Sequence, residues 1–142
     1  TLVGNNPGGA ARPLALTAAN VLTLLALATA LKSDATATLT KGYTATAYDA
    51  GTKSTGTFTP APADGNMQRY VNGGAHTLAA PTAAGDYTIV IQITNNASAG
   101  AITLSGFSKI TGDTLTTTNG DDFLLFIAKV NGFTHCHKQV LQ

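Results

Sequence analysis

Hydrophobic and polar positions alternate most cleanly between residues 86 and 94. Tyr87, Ile89, Ile91 and Ile93 fall on one side of an extended chain; Thr88, Gln92 and Thr94 fall on the other, with Val90 the one apolar exception. Side chains on a strand point to opposite faces in turn, so this pattern predicts a half-buried strand. The loop NNASAG follows, and Ile102 and Leu104 then resume the alternation. Together they predict a β-hairpin that carries much of a sandwich core, within an organising stretch that runs from 86 to 127.

The same period recurs on either side. From Ala35, Leu39 and then Tyr43, Ala45 and Ala47 share faces, and Asp49-Ala50-Gly51 reads as a turn. Lys53 to Thr59 reads as a strand stopped by Pro60 and Pro62, which cannot donate to a ladder. The segment PAPADGN then predicts an irregular crossing between two sheets. Met67 to Val71 is extended, and Asn72-Gly73-Gly74 before His76 and Leu78 predicts a tight hairpin. Gly106-Phe107 suggests a bulge, and Gly112-Asp113 a turn flanked by Lys109-Ile110 and Leu115 to Thr118. FLLFIAKV, Phe123 to Val130, is almost continuously apolar and predicts a strand buried on both faces. Asn131-Gly132 gives a second hairpin signal, with Phe133 to Leu141 as the last strand.

The N-terminal part departs from this pattern. TLVGNNPGGAARP is rich in Gly, Pro and Asn and predicts an extended arm. Residues 14–31, LALTAANVLTLLALATAL, carry no charge. A membrane span or signal sequence suits them poorly, because polar Thr17, Asn20, Thr23 and Thr29 interrupt the run and Arg12 is a meagre basic region. A buried helix capped by Thr17, or one or two strands, fits better; periodicity does not separate the two, and a short helix is preferred. The chain thus divides into an extended arm over 1–13, an apolar helix or strand segment over 14–34, and a β-sandwich domain over 35–142. The expected fold class is all-β, sandwich or jelly-roll-like, with at most one short N-terminal helix.

Composition agrees. Charged residues are 11% of the 142, there are seven Asp and no Glu, and Thr occurs 24 times. Strand formers dominate, and helix formers are sparse. With a net charge of +1 and no basic run, nothing supplies the phosphate neutralisation on which nucleic-acid binding rests. So weakly charged a surface suits a protein that lives assembled with copies of itself or with a partner. The single cysteine, Cys136, excludes an intrachain disulfide.

Few residues offer chemistry. His135-Cys136-His137 would place both imidazoles on one face of a strand and the thiol on the other, and two ligands are too few for a closed zinc site. Nothing in the sequence places His76 beside them. Asp121-Asp122 reads as a solvated turn, since adjacent carboxylates diverge. No nucleophile elbow or phosphate-binding loop occurs. The expectation is of no enzyme, no catalytic residue, no cofactor and no metal.

Three stretches, NGGAHTLAAP at 72–81, ITNNASAGAITLSGFSKITGD at 93–113 and TTTNGDDFLLFIAKVNG at 116–132, resemble small virion structural proteins of tailed bacteriophages and related prophages. The resemblance covers roughly Leu39 to Gln142 and consists of strand-and-turn motifs. It implies a β-sandwich building block, foremost a capsid cement or decoration protein on the outside of the phage head. Its partners would be the major capsid protein and its own copies, as homodimer or homotrimer, with neither nucleic acid nor membrane. It would be found on the virion and, during assembly, in the host cytoplasm. The alternative implied is a tail-fibre or spike domain that binds a host glycan.

Overall fold

The computed structural model describes residues 3–4, 14–15 and 44–141. The chain forms two compact units, Thr1–Tyr43 and Thr44–Gln142. In the first, β1 (Val3–Gly4) pairs antiparallel with β2 (Leu14–Ala15). Leu14 and Ala15 of the uncharged run are therefore extended; the rest of that run, where a helix is preferred, lies outside the described residues, as does most of the expected arm.

The second unit is all-β, as the composition requires, but its chain path is not that of a sandwich built from hairpins. Long and short strands alternate: β3 (Tyr48–Lys53), β4 (Thr57–Phe58), β5 (Met67–Asn72), β6 (His76–Ala79), β7 (Tyr87–Asn95) and β8 (Ile102–Ser105). The long strands stack in parallel, β3 on β5 on β7, and so do the short ones, β4 on β6 on β8. The chain therefore winds as three coils, each of roughly twenty residues or slightly more, in the manner of a solenoid. Then β9 (Lys109–Gly112), β10 (Asp122–Val130) and β11 (Phe133–Val140) complete the long sheet in the order β3-β5-β7-β10-β11-β9. β10 pairs antiparallel with β7 and β11, and β9 lies parallel to β11. The crossing at 60–66 joins the short sheet to the long one and contains a 3-10 turn at Pro62–Asp64, held by Gln68 Nε2 donating to the carbonyls of Ala61 and Gly65.

Two hairpin expectations are thereby corrected. β7 and β8 do not pair with each other, nor do β5 and β6; each joins its equivalent in the neighbouring coil. The two Asn-Gly sites show why. A type I′ turn needs positive φ at both central residues. Asn131 and Gly132 have φ of 48° and 84°, and β10 and β11 form the expected hairpin. At Asn72-Gly73 neither residue has positive φ. Instead the Asn72 side chain is buried, donating to Asn95 Oδ1 at 2.8 Å and to the Gly100 carbonyl at 2.9 Å. The segment is a solenoid corner. The expected turn at 49–51 is a bulge within β3, where Gly51 (φ 72°) donates to Asp49 Oδ1 and the register to β5 shifts. Lys53 to Thr59 is likewise two strands bent at a corner.

The core lies between the two sheets. On the long sheet Tyr70, Ile93 and Phe123 form one inward row, and Gln68, Ile91 and Leu125 the next. Ile89, Ile127 and Cys136 make a third. Phe58, Leu78 and Leu104 face them as a stack on the short sheet. Each fully buried aliphatic or aromatic side chain contributes about 1.5–3 kcal/mol. His76 is buried in the same layer, not among the other imidazoles. A carbonyl only accepts, so His76 Nδ1 donates to Gly74, and Nε2 accepts from the Tyr70 hydroxyl at 3.1 Å.

The corners stack as tightly as the strands. A Cβ at Gly100 would lie 2.1 Å from Ala75 N, and one at Gly74 2.5 Å from the Ser54 carbonyl oxygen. Gly100→Ala is therefore expected to destabilise the fold by several times the cost of Gly120→Ala. The latter has open space and incurs only its positive-φ penalty of about 1–2 kcal/mol. Asn72→Ala leaves buried partners unsatisfied and should cost about 2–4 kcal/mol. Chemical denaturation of the three variants against the parent checks both expectations, and equal midpoints for Gly100→Ala and Gly120→Ala would refute the tight corner.

Candidate functional site

With the core on one side, the outer face of the long sheet is left uncovered by any described residue. The parallel and antiparallel registers set its rows. Across the middle run Met67, Val90, Phe126, His137 and Thr111. One row on, Asp49, Arg69, Gln92, Leu124 and Gln139 align. On the other side Thr88, Ala128, His135 and Lys109 align, and Val130 faces Phe133 at the hairpin tip. The expectation that Phe123 to Val130 is buried on both faces is thus corrected: burial alternates, and Phe126 is 38% exposed. Val130 and Phe133 are more open still, at 64% and 74%. The apolar residues that made the run look like a two-sided core strand, Leu124, Phe126, Ala128 and Val130, instead share the outer face, with Phe126 and Val130 exposed and Leu124 and Ala128 half-buried.

At the β3 side of this face the character changes. Arg69 Nη2 donates to Asp49 Oδ2 at 2.9 Å. These two line a shallow basin of about 340 Å³ with Tyr70, Val71, Gln92 and Thr94. The Asp49 carboxyl is held below its usual range, first by the Gly51 N–H and then by Arg69. Thr94 donates to Asp122 and Thr116 to Asp121, so the adjacent carboxylates engage different hydroxyls. They do not form an acid pair, but the solvated-turn reading is corrected: both are half-buried, and Asp122 opens β10 just after the turn at 119–120.

At the opposite side sits the His-Cys-His segment. Strand alternation places His135 and His137 outward and Cys136 wholly in the core. Thr111, across the parallel pairing from His137, brings its hydroxyl to 2.8 Å from His135 Nε2 and 3.0 Å from His137 Nδ1. The sequence reading contained no sign of this third group, because Thr111 reaches β11 only through the parallel β9–β11 pairing. Phe126 flanks His137, with ring centroids 6.4 Å apart. Among the described residues no three His, Cys, Asp or Glu side chains converge, and no imidazole hydrogen-bonds a carboxylate.

No family model, curated protein or solved structure matches this chain.

Cys136 is a core thiol, not a reactive one. Burial pushes its pKa up to about 11, against a smaller opposing pull from Lys138. Tyr70 is raised as well, first by burial and then by the neighbouring Cys136. In both, the neutral form is favoured in the folded state. The Cys136 contribution is complete below the unfolded thiol pKa of about 9 and is lost as the pH rises to about 11. Over that window stability should fall by about 1.4 kcal/mol per pH unit, more steeply above pH 10 where Tyr70 joins. Urea denaturation at intervals between pH 8 and 11 measures the slope. Cys136→Ala should flatten it between pH 9 and 10, and an unchanged slope there would exclude the thiol as its source.

Proposed function

We propose that this chain is a non-enzymatic structural protein of a tailed-phage virion. In this reading it acts as cement, binding the major capsid protein on the outside of the head and stabilising contacts between its subunits. The observation that carries the reading is the set of exposed apolar side chains on the outer face of a rigid sheet: Met67 and Phe126 in one row, with half-buried Val90 between them, and Val130 and Phe133 at the hairpin tip. Exposed apolar side chains grouped on one face of a weakly charged protein mark a protein contact. The resemblance of roughly Leu39 to Gln142 to small virion proteins of tailed phages is what suggests the particle.

The mechanism is mass action. A protein that binds the assembled lattice and not its free subunits stabilises the lattice by its binding free energy. Many equivalent sites multiply the effect when each copy, or each homodimer or homotrimer, touches several neighbours. A sheet face suits this role because its rows are fixed by backbone hydrogen bonds and lose little entropy on docking.

A second reading, a tail-fibre or spike domain for a host glycan, is favoured by the basin of Asp49, Arg69, Gln92 and Thr94. Its planar amide, guanidinium and carboxylate groups match sugar hydroxyls as donors and acceptors. Tyr70, the aromatic among its lining residues, is buried, so the lining presents no exposed stacking platform.

Gold-labelled antibody on intact particles separates the two. Cement predicts even label over the head and a loss of capsid heat resistance when the protein is omitted; label at the tail alone would replace it with the second reading. Phe126→Asp with Phe133→Asp should leave the fold intact, since both side chains are exposed, and should abolish attachment to the particle. Undiminished attachment of that double variant would rule out these side chains as the contact.

A further inference from the structure

We propose that His135, His137 and Thr111 form a binding site for a divalent transition-metal ion that ties the edge strand β9 to β11. The proposal stands independently of the virion reading. Two imidazoles one residue apart on a strand project from the same face, with Cβ atoms about 7 Å apart by strand rise. Here the ring centroids are 6.5 Å apart, and His135 Nε2 and His137 Nδ1 both approach one atom, Thr111 Oγ1. A hydroxyl has one proton. It donates to at most one ring nitrogen and accepts an N–H from at least one, so no more than one imidazole lone pair points at Thr111 before an ion binds.

Imidazole nitrogen suits copper, nickel and zinc, at about 2.0–2.1 Å for zinc. Small side-chain rotations at these surface positions, with the second ring taking its other tautomer, aim both lone pairs at one ion. Thr111 Oγ1 stands beside it as a third, weaker oxygen donor, and water completes the shell. Phe126 packs against His137 and narrows its choice of rotamers. Cys136 faces the core and takes no part. Lys109 lies opposite His135 in register and opposes a cation, but it is exposed and on a flexible stem, which weakens the repulsion. Donors that are few, neutral and partly exposed imply modest affinity.

The consequence is mechanical. β9 lies at the end of the long sheet; it pairs with β11 over Lys109–Gly112, and Ser108 and Asp113 on either side add hydrogen bonds to the same strand. An ion held by two β11 side chains and one β9 side chain crosslinks the outermost strand to its neighbour.

Calorimetric titration of the full chain with copper(II), nickel(II) and zinc(II) chlorides, one at a time, tests the site. The expected result is one ion per chain, copper tightest, with affinity lowered about tenfold or more in His135→Gln and in His137→Gln. Copper bound to the parent chain should show two nitrogen donors by paramagnetic resonance, a readout that stands even if a variant misfolds. Saturating zinc should slow amide exchange at Lys109–Gly112. Absence of saturable binding, affinity unchanged in both variants, or unaltered exchange in β9 would each overturn the proposal.

Discussion

The coil stack depends on a ladder of buried amides. Asn72 and Asn95 occupy the same register position at the ends of β5 and β7. Asn72 Nδ2 reaches Asn95 Oδ1 and the Gly100 carbonyl, while its Oδ1 accepts from Gly74 N and Gly100 N. Asn95 Nδ2 continues the chain to the carbonyls of Thr116 and Thr118. Each corner must turn the backbone out of one sheet and into the other, and that leaves peptide groups buried without ladder partners. An unpaired buried peptide group costs about 1–3 kcal/mol. Two asparagines satisfy several of them at once, and they fix the height at which successive coils meet. Gly74 and Gly100 permit that height, since any larger residue would push the corners apart.

That constraint explains the outer face. Parallel stacking aligns equivalent strands, so residues that share a position in successive coils form rows across the sheet. The core consumes the inward rows, Tyr70-Ile93-Phe123 and its neighbours. The outward rows are left to the sequence's remaining choices: a charged pair at one end, exposed apolar side chains in the middle, two imidazoles at the other. A binding surface of this kind is rigid by construction, and its chemistry varies from row to row without disturbing the core.

Much of the fold was legible from single residues. The alternation of Tyr87, Ile89, Ile91 and Ile93 marked β7, and Ile89, Ile91 and Ile93 are fully buried. Asn131-Gly132 marked the one tight hairpin among the described residues. The prolines at 60 and 62 marked the crossing between sheets. The outward placement of His135 and His137 followed from period two alone. The coil path was not read, although a trace of it is present. Thr57-Phe58, Thr77-Leu78 and Thr103-Leu104 are equivalent pairs in β4, β6 and β8. The corner before the third pair is longer than the corner before the second, NNASAGA against NGGA, and the unequal spacing hides the repeat.

Local pattern by itself determined that this is a β protein, where most strands lie and, for strands that alternate as β7 does, which side faces the core. These are properties of a residue and its near neighbours, and the two-residue period of an extended chain exposes them. The tertiary structure alone decided which strands meet. Asn72-Gly73 and Asn131-Gly132 carry the same dipeptide, yet one is a solenoid corner and the other a hairpin. The difference lies in whether a distant Asn95 and Gly100 stand ready to accept the asparagine side chain. The same is true of Thr111, which joins the two histidines only because β9 lies parallel beside β11. Pairing is a contest between long-range partners for the same backbone and side-chain groups, and no window of adjacent residues records its outcome.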